Sequence, residues 1–275
     1  MPLQKSSTEV LVSWRRQRIK PKSQSRRLNR PLRWFFVGMA LVFIATSVAG
    51  FLPAIINPAT RRAPLTLLAT VHGIVFLLWL FLYLAQALLI ANRRVDLHRR
   101  LGLAGVGVMA LVIYFGFTSM TATIRRGFDL SGDQHMDPHP NGTTTVDAPT
   151  AMIFNFSSLV TFGVFAAVAI SFRRRPDLHK KLMLFANISL MVAPFAHVLG
   201  HIPRTRMSPG LNAVSYLLLY LLFLLAPMVY DFLVTKRIRW LTSSLVLALF
   251  VSQLVQAVVV APSAAWHRFA EWFSQ

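Results

Sequence analysis

The chain has 275 residues, 55% of them apolar, a mean hydropathy of +0.54 and a formal charge of +20. Apolar runs of about twenty residues, almost free of charge, exclude a soluble globular domain, and the alternating ten-residue pattern of a membrane barrel is missing. The absence of cysteine excludes disulfides, iron–sulfur clusters, c-type haem attachment and thiolate nucleophiles.

These features define an all-α polytopic transmembrane helical bundle. Its positive charge gathers at the ends of apolar runs, which reads as membrane topology and anionic-lipid contact rather than a nucleic acid partner.

Residues 1–33 are a basic arm rich in Ser, Arg and Pro, with Glu9 as its only acid. The arm is expected to be mostly disordered, cytoplasmic and able to lie on anionic lipid. It is too long for a cleaved signal peptide, although its Arg- and Ser-rich, acid-poor composition also fits an organellar transit peptide.

Seven spans are predicted at 34–56, 65–91, 102–123, 151–172, 183–202, 213–234 and 241–262, so that 34–262 is the transmembrane domain and 263–275 a short tail. Pro194 and Pro227 fall inside the fifth and sixth, where a bilayer helix tolerates a kink. With the amino terminus inside, the arm and inner connections hold 22 of the 29 Lys and Arg residues and the outer connections hold seven. The prediction is therefore N-in and C-out. The outer connection at 124–150 is long and polar and carries four of the nine acids, Asp129, Asp133, Asp137 and Asp147.

One phrase occurs twice. Arg94-Val95-Asp96-Leu97-His98-Arg99-Arg100-Leu101 returns 81 residues later as Arg175-Pro176-Asp177-Leu178-His179-Lys180-Lys181-Leu182. Each copy joins two apolar runs, so spans two and three match spans four and five as an internally duplicated hairpin. Asp96 and Asp177 stand where a helix N-cap is expected.

The histidines then fall into two layers. His72 and His197 each lie about five residues from the middle of a span, roughly 7–9 Å from the bilayer centre at ~1.5 Å per residue, on the outer side. His98 and His179 form an inner layer through the repeat. Paired imidazoles on facing helices are a haem-binding arrangement, and two such layers would carry electrons across a ~30 Å apolar core. His201 is an alternative to His197, one turn further along.

The competing reading makes the inner pair interfacial residues duplicated with their helix starts. His72, Trp79 and Gln86 recur every seven residues as a polar stripe that would line a haem edge, a quinone site or a polar path, or simply serve helix packing. In the outer loop His135, Asp137 and His139, with Asp133 just before them, have metal-ligand chemistry, although a solvated loop with chance ligands is the favoured reading.

The stretch His72-Gly73 to Trp79, Gln86 and His98-Arg99-Arg100-Leu101-Gly102, with Arg175-Pro176 to His179-Lys180-Lys181-Leu182-Met183, is similar to a widespread group of bacterial polytopic membrane proteins. That resemblance implies the bacterial inner membrane and the helical fold, and no activity. In histidine layout alone the chain also resembles the cytochrome b561 and ferric reductase-like membrane cytochromes. The implication is haem b held by His72 with His197 and by His98 with His179, with a quinone or another redox partner. The inner histidines depart from that layout by lying at helix starts. The expectation is haem-dependent transmembrane electron transfer, against a cofactor-free permease, membrane sensor or assembly factor.

Overall fold

The computed structural model describes residues 34–134, 147–201 and 209–275. The described chain is an all-α bundle. Its long helices are α1 (Phe35–Ile56), α2 (Leu67–Ala91), α3 (Val95–Arg126) and α4 (Ala148–Ser171), followed by the consecutive pair α5 (Pro176–Ser189) and α6 (Val192–Gly200), then α7 (Pro209–Thr235) and α8 (Trp240–Val255). A π-helical turn (Gln256–Val260) leads to a terminal helix, α9 (Ala264–Ser274). Seven of these stretches are long and apolar enough to cross a membrane, with α5 and α6 together making the fifth. The predicted spans are recovered in order.

Spans three and five begin earlier than predicted, at Val95 rather than 102 and at Pro176 rather than 183. Both advances take in the repeated basic phrase, whose Leu, Arg and Lys residues are good helix formers but too polar for a hydropathy window. At 32 residues α3 is about 48 Å long, so its first turns lie outside a ~30 Å hydrocarbon core. The N-caps are Arg94 and Arg175, neither with a side-chain cap bond, and Asp96 and Asp177 sit in the first turn. The expected capping role is thus corrected: these carboxylates act on the helix dipole instead.

α2 packs along α3 and α4 along α5, the two hairpins of the repeat. The fifth span is the centre of the bundle: 72% of its most apolar stretch is buried, and no other span exceeds 33%. It breaks at Leu190 and Met191, whose N–H groups turn back to Asn187 and Ile188. Pro194 explains the break, since it cannot donate to the carbonyl four residues earlier. α1, α4 and α7 surround this helix, and its tight approach to α1 depends on Gly50. A Cβ there would meet the Pro194 carbonyl oxygen at 2.9 Å and the His197 Cβ at 3.2 Å.

The tail at 263–275 carries the amphipathic α9. Ser263 caps it by accepting from the Trp266 N–H, and Trp266 and Ala270 are buried against α3 and α4. The Trp266 indole donates to the Pro149 carbonyl at 2.7 Å, fixing this helix across the end of α3 and the start of α4.

The two ends of the bundle differ in chemistry. One gathers the α1–α2 connection, the segment after α3 and the end of α6, where Gly132 accepts from the N–H groups of Arg62 and Ala63 at 2.7 and 3.1 Å. The other gathers the starts of α3, α5 and α8, with exposed Arg93, Arg94, Arg99, Arg100, Arg173, Arg174, Arg175, Lys236, Arg237 and Arg239.

Candidate functional site

The end of the bundle opposite the exposed arginines holds a buried cluster. α3 stops at Gly127 in the left-handed region, and the chain then coils back over residues 128–134. Asp129 organises that coil: one carboxylate oxygen accepts from the Gln134 N–H at 2.8 Å, the other from the Ser131 N–H at 2.8 Å and from the Ser131 hydroxyl. The same hydroxyl reaches Asp133 at 2.8 Å. Gly132 permits the turn, with φ at +78°, and any Cβ there would clash with the Ala63 carbonyl oxygen.

The coil is thereby laid over His197 on α6. The Nε2 of His197 faces an Asp129 oxygen at 3.7 Å, its Nδ1 faces an Asp133 oxygen at 3.7 Å, and the Gln134 amide stands 3.4 Å from Nδ1. Phe51 of α1 packs against the ring, centroids 4.3 Å apart. Asp129 and His197 are each 5% exposed. One ligand atom from each of Asp129, Asp133 and His197 lies within 4.8 Å of the others.

The 3.7 Å gaps are too long for hydrogen bonds and suit groups converging on one ion, whose bonds to imidazole and carboxylate run ~2.0–2.2 Å. Two desolvated carboxylates against a single imidazole also leave a negative excess that a cation would neutralise. Burial raises the Asp133 pKa, but the nearby charge of His197 and the bond from the Ser131 hydroxyl outweigh it and hold the carboxyl at about 2.

The predicted site residues have distinct surroundings. His72 on α2 points its Nδ1 at the Phe115 carbonyl of α3, 3.2 Å away, and stacks on Phe76. No hydrogen bond, ion pair or ring contact joins it to His197. His201 donates from Nε2 to the Gly50 carbonyl at 2.7 Å, a tie between α6 and α1.

The inner layer does come together, with the rings of His98 and His179 6.3 Å apart between centroids and nearly perpendicular. The polar stripe is consumed by packing. The Trp79 indole donates to the Asn187 side chain at 3.0 Å in the bundle centre. Gln86 reaches the start of α3 at His98 and Gly102. His135, Asp137 and His139 lie outside the described residues.

In the sequence His197 falls in a haem layer, and the metal-ligand chemistry of the loop falls on residues 135–139 with Asp133 just before them. The usable signal was Asp-x-Ser-x-Asp at 129–133 beneath an intramembrane histidine, but the partner is 64 residues away and only the fold supplies it.

A second group was also missed. Lys181 donates to Asp231 at 2.7 Å, and Asp231 accepts from the Thr242 hydroxyl too, all three buried. Although Lys236 and Arg237 lie close to Asp231 in sequence, its carboxylate turns inward to Lys181 of α5, where the low dielectric makes a partner obligatory.

The fold and this site define an integral membrane protein with a histidine–carboxylate centre at one end of a seven-span helical bundle. No family model, curated protein or solved structure matches the chain.

Proposed function

We propose that this is a bacterial inner-membrane protein that holds a divalent transition cation at its outer face, with the bundle as its anchor, in the manner of a membrane sensor or assembly factor. The observation that supports this most is the convergence of Asp129, Asp133 and His197 in a buried site. Mixed imidazole and carboxylate donors suit a borderline cation such as Zn²⁺ or Mn²⁺. Ser131 and the loop N–H groups orient the carboxylates, the outer-shell support that such ligands need. Against a permease, the polar stripe of α2 is spent on interhelical hydrogen bonds and leaves no evident path. The exposed arginines at the opposite end favour a cytoplasmic, anionic-lipid-facing surface there.

The test is metal binding by the purified full-length protein. After chelation and exchange it should take up about one Zn²⁺ or Mn²⁺ per chain, by elemental analysis and calorimetry. His197→Ala and Asp133→Asn should each weaken binding by at least ~10-fold, with His72→Ala unchanged. Wild-type protein that binds no ion, or binds it as well as His197→Ala, would overturn the assignment.

The haem b electron-transfer reading, with its quinone or redox partner, has one observation in its favour, the juxtaposition of His98 and His179. The residues do not otherwise fit an axial pair. His197 is engaged by carboxylates, and Gln86 occupies the Nδ1 of His98 in a way that places that ring's proton on Nε2. A reduced-minus-oxidised spectrum with a pyridine haemochrome assay decides: a b-type signal restores electron transfer, and a colourless folded protein removes it.

A further inference from the structure

The inner histidines come from two copies of the same phrase, yet their neighbours assign them opposite roles. His179 presents its Nδ1 to the Ala169 carbonyl of α4 at 2.8 Å. A carbonyl only accepts, so Nδ1 carries the proton and Nε2 is left as an acceptor. For His98 the choice is made by Gln86 of α2. The Gln86 amide satisfies its surroundings only when its oxygen accepts from the Gly102 N–H at 2.9 Å and its nitrogen donates to the His98 carbonyl at 3.1 Å. That same nitrogen also donates to Nδ1 of His98. Nδ1 is thus an acceptor, and the proton of His98 resides on Nε2. A donor ring and an acceptor ring then stand 6.3 Å apart between centroids, their planes at 85°.

We infer that the inner layer is a proton-binding site: His98 and His179 form a proton-sharing imidazole pair, joined directly or through one water, at the basic end of the bundle. A bridging water is the ordinary solution where two polar groups stand beyond direct reach.

The groups around the pair allow one added proton and oppose a second. From α3 comes Arg99, whose charge acts on His98 together with that of His179. From α2 come the neutral Gln86 side chain and the Gln86 backbone carbonyl, which also accepts from the His98 ring, and from α4 the Ala169 carbonyl. On α5, Lys180 is bonded to Asp177 at 2.6 Å and to Tyr230 at 3.3 Å, and Asp177 also faces Arg239 at 3.9 Å. The acid closest in sequence to His179 is therefore spent on cations, and among the described residues no carboxylate pairs with either imidazole. One proton is delocalised over two rings; two would set a pair of imidazolium ions against Arg99 and push the starts of α3 and α5 apart.

The experiment is ¹⁵N-histidine NMR on the full-length protein in lipid vesicles, with His98→Gln and His179→Gln for assignment and the His72 resonance as the folding control. At pH 8 His98 should report an Nε2–H ring and His179 an Nδ1–H ring. As pH falls both should shift together, with one shared midpoint and about one proton taken up by the pair. Gln86→Leu should erase the tautomer preference of His98 and leave that of His179. Identical tautomers, or two independent titrations, would overturn the inference, as would both rings moving to a ligated signature on addition of haemin or Zn²⁺.

Discussion

Asp133 sets the behaviour of the outer cluster because its carboxyl is held at about 2, below its ordinary 3.8, by His197 and Ser131. A depressed carboxylate contributes stability that is complete above the unfolded value and disappears as pH falls through the folded one. In chelator-treated protein, thermal unfolding should therefore separate wild type from Asp133→Asn from pH 7 down to about 4, and the two should converge towards about pH 2. A gap that widened on acidification would contradict the pairing.

Lys181 and Asp231 pose a different residue-scale problem, because both are buried inside the apolar bundle. Removing one partner strands a charge, so Lys181→Met should cost ~3–5 kcal/mol in denaturant unfolding. The double change Lys181→Met with Asp231→Leu should recover most of that loss, since a buried pair is worth little against apolar groups of similar volume.

At the scale of elements, the repeat builds two hairpins and the connections give each end its character. The coil after α3 is the element on which the outer cluster depends, and it is anchored through Gly132 to Arg62 and Ala63. Gly132→Ala should cost ~1–2 kcal/mol from the left-handed backbone alone, before the clash with the Ala63 carbonyl is added. If Asp129, Asp133 and His197 act together, the same substitution should weaken Zn²⁺ uptake although it alters no ligand. Calorimetry on Gly132→Ala showing wild-type affinity would separate the coil from the site. α9 lies where only a short tail was expected, although Trp266, Phe269, Ala270 and Phe273 repeat at helical spacing behind a Ser263 cap.

For the whole molecule, the segments carrying Asp129, Asp133 and His197 and those carrying the exposed arginines lie at opposite ends of one bundle. The arginine distribution sets the expected orientation, with the cluster outside. The natural chain has no cysteine, so single substitutions report without background. In intact cells, Arg61→Cys should react with a membrane-impermeant maleimide, and Arg174→Cys should react only after lysis. The opposite pattern would place the metal cluster in the cytoplasm.

The number and order of the spans were legible in the sequence because a bilayer demands about twenty apolar residues for each crossing, wherever the partners lie. The repeat was legible too, since duplication leaves its mark in residues, and it foretold that His98 and His179 would lie at one level. Their opposite tautomers were not legible: Gln86 and Ala169 impose them from other helices. The same holds for His197, whose apparent kinship with His72 rested on depth alone. Depth follows from counting along one helix, but which side chains meet depends on how helices rotate and approach. Here Gly50, the Pro194 break and the coil clamped at Gly132 decided that, bringing Asp129 and Asp133 over His197 across 68 and 64 residues of chain. Local sequence determined each helix, and long-range packing alone determined the site, because contacts so distant along the chain leave no periodic signal in it.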